Sequence, residues 1–158
     1  MTPATDPTAH FVDKWHRREP EMALAEVFCP PEQRPVFRGW GALLHELREA
    51  TFELSDARVT AAKTQWWAEE LLLVARGAGR HPVCADLPPS LPWATLARAV
   101  MEQASFDGRP ADTAQALQQV SPLAEAIAAI EAGLHEAPPP VGAVAVNLLL
   151  HRLPHGLV

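Results

Sequence analysis

Apolar residues recur at three- and four-residue spacing along most of this chain, which is the period of an α-helix with one buried face. The clearest stripe, Val36, Trp40, Leu43, Leu47, Ala50 and Leu54, predicts a helix over residues 32–54. A shorter one over residues 20–28 precedes it, stopped by Pro30 and Pro31, which cannot continue a helical ladder. Ser55 and Asp56 end the long helix and cap the next, over residues 57–76, which carries Val59, Trp66, Trp67, Leu71 and Val74 and stops at Gly77 and Gly79. A proline-rich connection over residues 81–92 leads to a helix over 93–105. Residues 112–120 read as a short helix. Ser121 and Pro122 read as the start of another, to about residue 136, because serine caps and proline suits the first helical turn. Pro138, Pro139 and Pro140 close it, and a last helix is expected over 141–153. Residues 1–10, with Pro3, Asp6 and Pro7 and no periodicity, read as a flexible N-terminal tail. No segment alternates with period two. The expected fold is all-α: a single-domain bundle of six or seven helices over residues 11–158.

Composition narrows the class. At 158 residues, with 48% hydrophobic and 20% charged residues, the chain can bury a core of roughly 70% of its unfolded surface. A net charge of −6 argues against nucleic acid as the main partner. The longest apolar run, residues 141–150, is too short to span a bilayer and contains Asn147. Residues 1–10 hold neither a basic residue nor an apolar block, so no signal peptide is expected. The two cysteines, Cys29 and Cys84, read as reduced thiols, and the expected location is the cytoplasm.

Few residues offer chemistry. Glu46, Glu49, Glu53 and Asp56 share one helix face, and Glu49 with Glu53 is an i, i+4 acidic pair of the kind that holds Mg²⁺ beside a diphosphate. The commoner meaning of such a pattern is the solvated face of an amphipathic helix, here with Arg48 as a neighbouring charge. His81 and Cys84 make at most half a metal site, and His151 and His155 are separated by the helix-breaking Pro154. Trp66 and Trp67 point about 100° apart on a helix, so one indole can enter the core while the other lines a groove.

Several runs carry a family resemblance. These are Cys29-Pro30-Pro31-Glu32-Gln33-Arg34, Gly41-Ala42-Leu43-Leu44-His45-Glu46-Leu47, Glu53-Leu54-Ser55-Asp56, Lys63-Thr64-Gln65-Trp66-Trp67-Ala68-Glu69-Glu70-Leu71, and His81-Pro82. Over residues 13–87 the chain resembles the N-terminal half of the squalene/phytoene synthase family, all-α head-to-head prenyl transferases about twice its length. The resemblance implies an isoprenoid-synthase-like partial fold and a Mg²⁺-dependent condensation of prenyl diphosphates held by two aspartate-rich motifs. By position, the two aspartates of the first motif fall on Arg48 and Phe52, and the acid after them survives as Glu53. A preceding arginine falls on His45, a diphosphate-binding serine falls on Glu21, and the second aspartate-rich motif has no counterpart. A guanidinium repels Mg²⁺ and a phenyl ring offers it no ligand.

The expectation is therefore a shortened pseudoenzyme with no catalytic residue, no metal ligand and no cofactor. It would bind a prenyl or other apolar small molecule, or a homodimer or protein partner, in isoprenoid metabolism. Candidate substrate-binding residues are His45, Glu49, Phe52, Glu53, Trp66 and Trp67. Three other readings remain open: an active Mg²⁺-dependent prenyl transferase with Glu49 and Glu53 as non-standard ligands, a helical protein-interaction module, and a truncated gene product.

Overall fold

The computed structural model describes residues 6–106 and 108–156, with side chains through His151. Those residues form seven α-helices and no strand: α1 (Pro7–Arg18), α2 (Pro20–Ala25), α3 (Arg34–Arg48), α4 (Ala57–Ala75), α5 (Trp93–Ala104), α6 (Thr113–His135) and α7 (Val141–Gly156). Helices α4 and α5, α5 and α6, and α6 and α7 pack as successive neighbours, while α3 packs on α1 and on a 3₁₀ turn, Pro82–Cys84. Buried residues from α1 and from α3 through α7 join in one core, against which Met22 of α2 packs. Trp93, Leu43, Leu71, Leu96, Ile127 and Ile130 lie at its centre, each fully buried.

Helix ends follow local chemistry. The side chains of Asp6, Asp56 and Asp112 accept hydrogen bonds from the backbone N–H of Thr8, Arg58 and Gln115, satisfying donors at three helix starts. After α4 the chain turns through Gly77 at φ +71°, and Ala78 N–H closes on the Leu73 carbonyl at 2.9 Å. Gly41 answers a different need: a Cβ there would collide with the indole of Trp15, so its absence lets α1 lie close on α3.

Four expectations are corrected. Helix α1 starts at Pro7, inside the stretch read as a tail, because Asp6 caps it and Pro7 suits the first turn; residues 1–5 lie outside the described residues. The helix expected over 32–54 is α-helical only to Arg48 and then widens into a π-helical turn, Glu49–Glu53. In that turn Thr51 Oγ1 donates to the Leu47 carbonyl at 2.7 Å. Ser121 and Pro122 start no helix, for α6 runs through Pro122. A proline forfeits one ladder bond, and burial of Val120, Leu123, Ala124 and Ile127 on the inner face outweighs that loss. Helix α7 runs past Pro154 to Gly156 rather than ending at residue 153; the side chain of His155 lies outside the described residues.

Candidate functional site

Helices α1, α2, α3, α6 and α7 enclose a cleft of about 350 Å³, within the range that holds small molecules. Its walls are mainly apolar, with Phe37, Trp40, Leu44, Ile127, Val144 and Leu148 among them, and exposed Ala143 stands at its edge.

One part of this lining is a buried ionic network. Arg48, only 5% exposed, donates from Nη2 to Glu19 Oε2 at 2.6 Å and from Nη1 to Asn147 Oδ1 at 2.9 Å. The Trp15 indole N–H donates to the same Glu19 oxygen at 2.7 Å. His151 Nε2 lies 3.0 Å from Arg48 Nη1 and 3.2 Å from Glu19 Oε1. The buried Nε of Arg48 has no hydrogen-bond partner. Burial alone would raise the Glu19 carboxyl, but the Arg48 guanidinium and the Trp15 indole outweigh it and hold it below the usual range. Burial, reinforced by Arg48, lowers the His151 imidazole and keeps it neutral near pH 7. Elsewhere in the cleft the Trp40 indole N–H donates to Glu131 Oε1 at 3.2 Å.

A second, smaller hollow of about 230 Å³ lies between α3 and α4, lined by Glu46, Glu49, Lys63, Trp66, Trp67 and His81. Trp67 is buried and Trp66 is 39% exposed; their rings meet edge to face at 4.9 Å. His81 packs 4.9 Å from Trp67 and 4.4 Å from Phe11, and its Nδ1 accepts the Val83 N–H. Burial lowers its pKa. The buried carboxylate of Glu70 positions this corner by accepting from the backbone N–H groups of Arg80 and His81 and from Arg80 Nε. Cys84, at the foot of the same turn, has its thiol pushed up to about 12 by burial, so it is no nucleophile.

Of the residues anticipated as binding, Glu49, Trp66 and Trp67 are brought together in the smaller hollow. Buried His45 stands beside Glu49, with its Nε2 at 3.8 Å. Burial lowers the His45 pKa, with Arg48 adding to it against the opposing carboxylates. Phe52 packs against the core and Glu53 accepts from Arg18 at 2.8 Å. Neither lines a described cleft.

These positions do not suit the Mg²⁺ that the resemblance implies. Arg48 and Phe52 stand where that resemblance would expect aspartates, and Lys14 bonds Glu46 at 3.0 Å and Glu49 at 3.1 Å while Arg18 bonds Glu53. The acidic row of α3 and its π turn is thus matched by a basic row on α1. Among the described residues, no three His, Cys, Asp or Glu side chains form a group suited to a metal ion.

Sequence reasoning overlooked Trp15, Glu19 and Glu131 as cleft residues and treated Arg48 only as a lost ligand. Two signals stood in the chain: Asp6-Pro7 with Phe11, Val12 and Trp15 at helical spacing marks α1, and Asn147 interrupts an apolar run.

Fold and cleft together define a helical bundle with an apolar hollow and an internal ion pair. No protein-family model, no curated protein and no solved structure matches the chain. No helix among the described residues is long and apolar enough to cross a membrane.

Proposed function

We propose that this chain is a catalytically silent relative of the squalene/phytoene synthases that binds a prenyl or similar apolar molecule in the cleft between α1, α3, α6 and α7. The observation that carries the reading is the cleft itself: an apolar hollow of about 350 Å³ lined by Arg48, the residue that stands where the family resemblance expects a Mg²⁺-binding aspartate. The ion pairs of Glu49 and Glu53 with α1 add to it, since they occupy the remaining carboxylates. Binding of a prenyl chain is then independent of Mg²⁺. A calorimetric titration with farnesol, in Mg²⁺ and again with a chelator, tests this. Micromolar binding, unchanged by chelation and lost in Ala143→Trp, is the expected outcome, because an indole at the exposed edge fills the cleft without entering the core. Absence of binding by farnesol and by farnesyl diphosphate alike, or Mg²⁺-dependent release of pyrophosphate, overturns it.

A second reading, a helical module that docks a copy of itself or another protein, is favoured by one observation. Leu24, Val27 and Phe28 follow one another along α2 and the turn after it, at 71%, 69% and 88% exposure. Sedimentation analysis tests it: self-association removed by Phe28→Ser supports a homodimer, and a monomer at high concentration sinks the homodimer.

A further inference from the structure

Ile127, Glu131 and His135 follow one another at four-residue spacing along one face of α6, and all three line the main cleft. Ile127 is buried, Glu131 half-buried and His135 exposed. Beside them Val144 and Leu148 of α7 are buried, while Pro140 and Ala143, nearer the connection from α6, are exposed. Glu131 therefore stands between an apolar wall and an exposed rim. It is also the carboxylate of this lining whose charge is not balanced. The other, Glu19, is bonded to the Arg48 guanidinium at 2.6 Å, so those two charges cancel. Glu131 Oε1 accepts from Trp40 Nε1 at 3.2 Å, and an indole donor carries no charge. Among the described residues Glu131 joins no ion pair, and no lysine lines the cleft. Its Oε2 has no partner among the described residues, yet it is not sealed in: the buried side-chain atoms without a partner are His16 Nε2, His45 Nε2, Arg48 Nε and Gln103 Oε1.

We infer that the cleft selects an apolar chain ending in an ammonium group, with the chain against Phe37, Leu44, Ile127 and Leu148 and with Glu131 as the counter-ion of the head group at the rim. This rests on the reading that the cleft binds an apolar molecule, and it names the chemical class of that molecule. A half-buried carboxylate suits such a head, which keeps part of its hydration and escapes the penalty of a dry charge. The apolar chain supplies most of the affinity, and the charge supplies the preference. A diphosphate meets the same unbalanced carboxylate as repulsion, so the head-group preference is the reverse of the one that the family resemblance implies.

The test compares four ligands with the same fifteen-carbon chain by titration calorimetry on the intact protein: farnesylamine, its neutral N-acetyl amide, farnesol and farnesyl diphosphate. At pH 8 a simple alkyl ammonium is charged and a free imidazole is neutral. The amine is expected to bind about tenfold tighter than the amide and the alcohol, the value of one hydrogen bond to a charged group. It is also expected to bind at least tenfold tighter than the diphosphate, with or without Mg²⁺. Glu131→Gln keeps an acceptor for Trp40 and removes the charge; the amine should lose its advantage there while farnesol binds as before. Glu102→Gln, at an exposed acid of α5 outside the lining, should keep the advantage. An equal loss in both variants would assign the preference to the overall charge of the protein and overturn the inference. Equal affinity of amine and farnesol for the native protein overturns it while leaving apolar binding intact, and tightest binding by the diphosphate overturns it as well. Failure of all four ligands to bind overturns the underlying reading, and the inference falls with it. If Glu131→Gln does not fold, the native comparison of the amine with its neutral amide still decides whether the cleft prefers a cation.

Discussion

Single residues here are held by contacts whose removal has a calculable direction. Gly41 is required by the Trp15 indole that rests on it, so Gly41→Ala must push Trp15 or α1 aside. Overpacking of this kind costs about 1–3 kcal/mol, which a urea melt followed by tryptophan fluorescence measures as a lower midpoint with an unchanged slope. Glu70 makes the complementary case. Burial pulls its carboxyl up, but the His81 and Arg80 N–H groups outweigh that and hold it ionised below the usual carboxylate range. Glu70→Ala strands two backbone donors around Arg80 and His81 and should cost roughly 2–4 kcal/mol, whereas Glu70→Gln, which keeps an acceptor, should cost less. Equal losses in the two variants would show that packing rather than hydrogen bonding is at stake. The sequence marked Glu70 only as part of the run from Lys63 to Leu71 that carries the resemblance; its part in holding the turn stays hidden until the chain after Gly77 returns across it.

At the scale of elements, the α1–α3 pairing depends on two charge rows in register, Lys14 and Arg18 on one helix against Glu46, Glu49 and Glu53 on the other. Lys14 is about a third exposed, so the coupling is modest. A double-mutant cycle on Lys14→Met and Glu49→Gln should return about 0.5–1 kcal/mol, and a value of zero would mean that apolar contact alone docks α1. The acids of α3 were legible in the sequence as a face. Their role was not, because residues 1–10 were read as a tail and no helix was assigned to residues 11–19, so the basic row of α1 had no helix to sit on. Helix α6 gives a second case. Pro122 looked like a helix start, yet seven buried residues hold one continuous helix across it. Pro122→Ala restores the missing N–H bond to the preceding turn and should raise stability by about 1–3 kcal/mol, read from the thermal midpoint. A lower midpoint would mean that the ring itself is a packing element.

For the molecule as a whole, the buried titratable groups set the pH window. Burial lowers the pKa values of His45, His81 and His151, so the unfolded chain binds more protons than the native one as pH falls through about 6.5. Stability is complete above that value and declines below it. Glu19 and Glu70, held below their unfolded value of about 4.3, add a second loss in acid. Burial pulls Lys14 down, but Glu46 and Glu49 raise it on balance, so its contribution disappears only as pH rises past about 10.4 and through the higher native value. Urea midpoints should therefore be level from about pH 7.5 to 9, fall below 6.5 and fall again below 4; a midpoint that rises between pH 7 and 5 contradicts the neutral burial of the histidines. What the sequence by itself determined was the helical class, most helix positions and the cap at Asp56. All of these are encoded locally, in spacing, caps and prolines. The tertiary structure alone decided where the cleft lies and what lines it. Arg48 meets Glu19 across 29 residues of chain, Asn147 across 99 and His151 across 103. A helical period records which face of a segment is apolar, but it holds no record of which other face that segment will meet. A polar residue destined for the interior therefore looks like a solvated one until packing supplies its partners.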